Sequence, residues 1–510
     1  MTGGILQLVA KGIEDIYLTN EPHITFFKIM HKRYTNFSIE QIKQEFINVP
    51  NFGKKTSCIV SKNGDLMGNM YLVVELPQII KKNSQLFDNN VDNITKFAWI
   101  KKVGFALINK IELEINGKII DKQYGEWLNI WSQLTNNNIN HIDRLIGNVD
   151  ELIIFSEDKD SYVLYVPLYF WFCRSYNLAL PLVSLQYTEI KINLELNSLD
   201  KCHLIAPTNY IEIENDFVSF NKFDIIKQKI SQFDMREGIF IDFDIKTNRL
   251  YYNKISEKNF EALTVDLEEN LNGTDYLDTI CEQDNIYKIF SDTAFCYPKK
   301  NERAFTCKNN CYENINIKDC YLLIDYIYVD EDLRKKFANN KHEYLIEQLQ
   351  FTGDKIFESN LIKMNLDFFN PVKIIFWMLQ KESIRNKDMF NYTDSYYNGK
   401  SLINEQKLYL NNMERIQIKD KEFYNYIQPY QLFCGTCQEG INMYSFCLLP
   451  DKIFPSGSCN FTLFNNCFLS VKTKLPINEY NKCIFKAYAL GYNIFRICDG
   501  IAGLLFEVAS

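Results

Sequence analysis

The sequence predicts an all-β fold of sandwich or barrel type, and three observations predict it. Apolar residues recur with period two, Asn and Gly turns separate the runs, and helical spacing is scarce. At 510 residues and 60.2 kDa the chain exceeds what one core holds, so two or more domains are expected.

The elements follow in order. Asn63-Gly64-Asp65 reads as a turn ahead of the apolar run Met70 to Leu76. Ile111, Leu113 and Ile115 alternate with Lys110, Glu112 and Glu114, and Asn116-Gly117 comes next. That is a half-buried strand entering a hairpin through positive-φ residues. Trp127 and Trp131 stand at i and i+4 within Glu126 to Leu134, which predicts a core-facing turn of helix. Ile190, Ile192, Leu194 and Leu196 alternate with polar neighbours, and Ile239, Ile241, Phe243 and Ile245 recur with the same period of two. Tyr321 to Val329 and Asn365 to Leu379 add further apolar runs. A faint repeat is also present. Lys110-Ile111-Glu112-Leu113 is echoed by Lys407-Leu408-Tyr409-Leu410, and the Asn63 turn by Asn370-Pro371, at offsets of 297 and 307 residues. Two matches in one order suggest a duplicated β-domain.

Composition narrows the function. Hydrophobic residues at 46% and aromatics at 15% exclude disorder as the main state, and 20 Gly with 12 Pro exclude collagen-like chains. Lys and Arg number 56 against 64 Asp and Glu, a net −8 without a basic run, which argues against gripping nucleic acid by its phosphates. The 15 cysteines are dispersed, as expected of reduced, mostly buried thiols. No signal peptide is visible. Ser161 to Cys173 and Ser175 to Thr188 are too short to span a membrane, and Pro167 and Pro181 interrupt them. A soluble, non-secreted chain is expected.

Chemical motifs are nearly absent. His23, His31, His141, His203 and His342 lack metal-ligand spacing, and His342-Glu343 lacks the second histidine of a zinc protease helix. No Walker loop, dinucleotide-binding glycine pattern or nucleophile elbow occurs. Cys434-Gly435-Thr436-Cys437 has the spacing of a redox pair or half a zinc site, and Cys307 with Cys311 is the one candidate for the other half. The irregular spacing favours neither, so no catalytic, cofactor-binding or metal residue is assigned, and no enzyme is expected. Five Asn-x-Ser/Thr sequons, at Asn36, Asn93, Asn272, Asn391 and Asn460, are read as chance matches, with Asn36 and Asn460 in predicted strands.

Longer segments are recognisable. GGILQLVAKGIEDIYLTNEPHITFFK (Gly3 to Lys28), YTNFSIE, KIELEINGKIIDKQYGEW and LALPLVSLQYTEIKI resemble major capsid proteins of nucleocytoplasmic large DNA viruses. So do LLIDYIYVDEDLRKKFA, ERIQIKDKEFYNYIQPYQ, YSFCLLPDKIFPSGSCNFT and ALGYNIFRICDGIAGL. The resemblance implies two tandem eight-stranded antiparallel jelly rolls, a double jelly roll with few short helices. Residues 1–24 would be an anchor segment, 25–335 the first roll and 342–510 the second, with Asp330 to Lys341 as connector. It also implies a homotrimeric, pseudo-hexagonal capsomer of an icosahedral shell, in the virion and assembled in the host cytoplasm. Implied partners are neighbouring capsomers, minor capsid proteins and the internal membrane, with no direct nucleic acid. A minor capsid paralogue or a transient assembly scaffold is the alternative within the family.

One departure stands out. Leu196 and Tyr321 are separated by over a hundred residues where the family has a modest loop. Residues 200–319 hold 15 Lys and Arg against 22 Asp and Glu, so this stretch carries −7 of the −8. It is expected to be an acidic folded subdomain that decorates the virion exterior without a receptor function, with binding of a host receptor, sugars or glycans as the alternative.

Overall fold

A computed structural model describes residues 35–506, apart from 83–93, 136–138, 215–217, 222–223, 231–233, 257, 263–286, 292–293, 300–303, 308–311, 386, 397–398, 416–418, 475–476 and 478–481. The anchor expected at 1–24 lies outside the described residues.

Strand-forming runs alternate with tight turns from the start. The first sandwich contains β1 (Phe37–Glu45), β2 (Lys55–Ile59), β3 (Leu66–Leu76), β4 (Lys96–Trp99), β5 (Ile108–Ile115), β6 (Lys118–Gln123), β7 (Tyr162–Pro167), β8 (Leu180–Pro181) and β9 (Ile190–Leu196). Asn116 and Gly117 both take positive φ, 53° and 76°, and so turn β5 into β6 without splaying the hairpin. An inserted segment follows: β10 (His203–Ala206), β11 (Asn209–Glu212), β12 (Ile225–Lys229), β13 (Met235–Asp244), β14 (Arg249–Lys254), β15 (Ile289–Phe290), β16 (Phe295–Cys296) and β17 (Phe305–Thr306). The chain then returns through β18 (Asp319–Val329), which sits between β1 and β3.

The second sandwich contains β19 (His342–Phe351), β20 (Lys355–Phe357), β21 (Leu361–Asn365), β22 (Pro371–Lys381), β23 (Ile403–Leu410), β24 (Met413–Glu414), β25 (Lys419–Asp420), β26 (Ile441–Ser445), β27 (Cys459–Asn460), β28 (Cys467–Thr473), β29 (Cys483–Cys498) and β30 (Ile501–Leu504). Asn365 to Leu379 is therefore two strands, broken at Leu366 to Asn370, where Asn370 has φ 59°.

The two sandwiches are wired alike. Sheets ordered β1-β18-β3-β7 and β2-β9-β5-β6 in the first correspond to β19-β29-β22-β26 and β21-β28-β23-β24 in the second. The sequence repeat falls on this correspondence, because β5 and β23 each take third place in their sheets. The expected connector contains a helix (Glu331–Asn339).

The insertion forms a sheet of its own, ordered β16-β15-β12-β13-β14-β11-β17. One face packs Ile211, Ile226, Phe240, Leu250, Tyr252 and Phe260 together. Ile239 and Ile241 point the other way, onto Ile384 of the second sandwich. The predicted alternation from Ile239 to Ile245 does not persist. A bulge between Phe240 and Asp242 turns Phe243 to the Phe240 side, and Ile245 lies beyond the strand, exposed. Strand β10 pairs with β4, so the insertion is tied to the loop that joins β3 to β5.

Candidate assembly surface

The seam between the sandwiches begins where β6 ends. Gly125 starts helix α1 (Gly125–Thr135), because a Cβ there would lie 2.0 Å from the Phe105 carbonyl oxygen. The i, i+4 spacing puts Trp127 and Trp131 on one face, with ring centroids 5.4 Å apart. That face does not fill the first sandwich alone. Trp127 lies 5.4 Å from Phe376 and 6.1 Å from Tyr488, edge-on and tilted, and Tyr124 lies 4.9 Å from Phe351.

The sheet beneath is set by register. Phe351, Tyr488, Phe376 and Met443 line up across β19, β29, β22 and β26, beside the row Leu349, Leu490, Ile374 and Ser445. Next to α1 the chain after β7 adds Trp171, 5.6 Å from Phe495. The result is an apolar core that runs from the first sandwich onto the outer face of the β19-β29-β22-β26 sheet, while the second sandwich keeps a separate core of its own around Ile362, Trp377, Leu408 and Val471.

Charges are buried in this seam, and each has a partner. Glu126 on α1 accepts from Lys486 Nζ and from the Tyr488 hydroxyl. Glu347 accepts from Lys373 and, across the seam, from Arg174, whose guanidinium stacks 4.3 Å over Trp131. Asp121 accepts from the Leu349 amide at 3.1 Å, yet burial pushes its carboxyl up to about 7. Burial lowers Lys102, which donates to Asn129 Oδ1, to about 8. Removing one member of such a pair strands the other charge.

Cys434 and Cys437 belong to this seam. The Gly435 amide donates to the Leu134 carbonyl at the end of α1, and a Cβ on Gly435 would lie 2.0 Å from the Gln133 carbonyl oxygen. The loop is small because a helix end abuts it. Cys307 sits on the insertion, with its amide donating to the Thr208 carbonyl, and Cys311 lies outside the described residues. Among the described residues no three His, Cys, Asp or Glu are grouped to hold a metal. His203 stacks on Phe97 and contacts the Leu199 carbonyl, His342 contacts the Phe337 carbonyl, and His23 and His31 are outside the described residues. No helix among the described residues is long and apolar enough to cross a membrane.

The sequons differ in setting. Asn391 is buried, donating to the Ser395 and Tyr396 carbonyls and accepting from Thr393, which leaves no amide for a glycan. Asn460 lies in β27 and accepts from the Thr462 amide. Asn36 precedes β1 rather than lying in a strand, and Asn93 and Asn272 are outside the described residues.

Among the elements that the sequence does not announce are two helical segments beside the rolls. Helix α2 (Glu331–Asn339) is capped by the Asp330 carboxylate at the Leu333 amide, and Arg334 binds Asp65 at 2.7 Å. The segment between β25 and β26 forms a π-helical turn (Phe423–Ile427) running into α3 (Gln428–Leu432). It occupies the place in the second sandwich that α1 holds in the first. A signal for it existed: Phe446-Cys447 follows β26 as Phe172-Cys173 follows β7.

Residues 25–235 match the family described as major capsid protein N-terminus, and residues 334–503 match large eukaryotic DNA virus major capsid protein. "Probable capsid protein 4" of Acanthamoeba polyphaga mimivirus is 38% identical over 99% of both chains. "Major capsid protein" of Pyramimonas orientalis virus is 30% identical over 99% of this chain and 100% of its own. The Faustovirus major capsid protein structure superposes with a TM-score of 0.64 at 11% identity, covering 96% of this chain and 94% of that one. That likeness carries the fold: the two sandwiches are a double jelly roll.

Proposed function

The chain belongs to the major capsid protein family of large eukaryotic DNA viruses, a family with a structural role in the capsid, and we propose that three copies close into one pseudo-hexagonal capsomer. Such capsomers then tile the flat facets of an icosahedral shell. The supporting observation is the seam. Two sandwiches of one wiring meet head to tail within the chain, and a heterologous contact repeated by rotation closes a ring. Three chains supply six sandwiches to that ring. The role is structural rather than catalytic.

The insertion sits on the outer face of the shell in this reading. Strand β10 of the insertion pairs with β4, and Ile239 and Ile241 rest on Ile384 in the β22–β23 connection. The insertion thus caps one end of both rolls, and its charge of −7 over residues 200–319 keeps particles apart in solution. The chain's partners in this reading are neighbouring capsomers, minor capsid proteins and the internal membrane, in particles assembled in the host cytoplasm. Sedimentation equilibrium of the purified chain tests the ring: three times 60.2 kDa is expected, and monomers at every concentration overturn it.

A second reading, a minor capsid paralogue, is favoured by the finding that one virus, Acanthamoeba polyphaga mimivirus, has several capsid proteins similar to this chain. Abundance in purified virions separates the two, since the main shell protein dominates the particle.

A further inference from the structure

The chain contains one covered sheet and one open sheet of the same wiring. In the first roll the register aligns Tyr321, Val73 and Tyr165 across β18, β3 and β7, beside the row Leu323, Tyr71 and Pro167. These point away from the roll's core, whose side of the same strands carries Leu322, Ile324, Leu72, Val74, Leu164 and Val166. The exposure is concentrated on the β7 side of this face: Val163 and Tyr165 are 41% and 38% exposed, Tyr71, Tyr321 and Leu323 are half-buried, and Val73 between the tyrosines is buried. The corresponding sheet of the second roll is buried on that side by α1 and the chain after β7.

The cover that the second roll owns is also open. Tyr426, Ile427 and Tyr430 of the α3 segment, and Leu448, Leu449 and Phe454 after β26, are all exposed, Tyr430 by 87% and Leu448 by 77%. The Ser445 amide donates to Gln428 Oε1, which holds the helix beside the start of that loop. Single exposed apolar residues are ordinary, but a cluster on adjacent elements marks an interaction surface. Within the chain the equivalent cover is seated on the equivalent sheet face, Trp127 on Phe376 and Trp171 on Phe495, with Trp131 beside Lys373 and edge-on to Phe433 at the end of α3.

We infer that the exposed surface of Tyr426, Tyr430 and Leu448 in one copy docks on the open β18-β3-β7 face around Tyr165 in the next copy. The occupant is a second copy of this chain, and the contact is the internal seam repeated between molecules. This rests on the trimer reading, and it adds which surfaces meet and in which direction. A helix-bearing side always meets a sheet-bearing side, so the contact is polar and never pairs like with like.

Two variants test it. Tyr430→Asp with Leu448→Asp disables the helix side, and Val163→Asp with Tyr165→Asp disables the sheet side, with Tyr165→Ser as the milder substitute if the charged pair unfolds. Each alone is expected to sediment as a folded monomer of 60.2 kDa where the unsubstituted chain is trimeric. Mixed, they retain one intact helix side and one intact sheet side, so they form a dimer of twice that mass and no trimer. Persistence of trimers in either variant overturns the inference while leaving the trimer reading intact. Dimers from either variant alone also overturn it, since like would then pair with like. If the unsubstituted chain never trimerises, the trimer reading itself fails, and the inference with it.

Discussion

The sheets β1-β18-β3-β7 and β19-β29-β22-β26 share an order yet differ in what lies on their outer faces. Strand β22 is buried along nearly its whole length, whereas β1 is exposed along most of its own, and β7 alternates exposed Val163 and Tyr165 with buried Leu164 and Val166. Topology is therefore not what sets the pattern. A strand covered on both sides reads as an uninterrupted apolar run, Ile374 to Leu379, whereas in β7 the exposed Val163 and Tyr165 are themselves apolar, so its open side leaves no polar alternation in the sequence. The difference teaches that the second roll completes itself on the first, while the first is left with a face to give to another molecule.

The largest effect that sharpens this contrast is expected at the covered face. Trp127→Ala empties a site packed by Trp131, Phe376 and Tyr488, and should cost about 3–5 kcal/mol in denaturant unfolding. A loss under about 1 kcal/mol would mean that α1 does not join the rolls energetically. Gly435→Ala forces a methyl against the Gln133 carbonyl, so a loss of about 1–3 kcal/mol is expected from overpacking.

A smaller effect depends on pH. Asp121, faced by the Leu349 amide, Gln123, Lys122 and Arg174, is raised to about 7 chiefly by burial. A carboxyl raised in the folded state contributes stability that is whole below its unfolded value, near ~3.9, and is lost as pH rises through about 7. Unfolding free energy should fall across that window by up to about 1.4 kcal/mol per pH unit, and Asp121→Asn should flatten the slope. An unchanged slope in the variant would assign it to other groups. The smallest effect is expected on the open face, where Tyr165→Ser in dilute single chains should change stability by no more than about 0.5 kcal/mol. A loss as large as that of Trp127→Ala would erase the contrast between the faces.

Much of this was legible in the sequence. The β5 hairpin announces itself through Asn116-Gly117, and β9 and β18 through their alternation and apolar runs. The Trp127 and Trp131 spacing shows a buried helix face, though not what buries it. The ion pair of Glu126 with Lys486 is invisible, because its members are 360 residues apart and each looks like a surface charge. The bulge in β13 is hidden too, since a single extra residue leaves no compositional mark. Cys434-Gly435-Thr436-Cys437 misleads by its spacing: the glycine between the cysteines is required by close approach to α1.

The contact of Ile239 and Ile241 with Ile384 has a mechanical consequence. A body hung only from β9 and β18 would have its two tethers at one root and could swing about them. The pairing of β10 with β4 adds a third point of support on the same roll, and the Ile384 contact a fourth, off that axis and on the other roll, which stops the swing. Whatever the inserted sheet carries on its far side is thus presented at a fixed angle to both rolls.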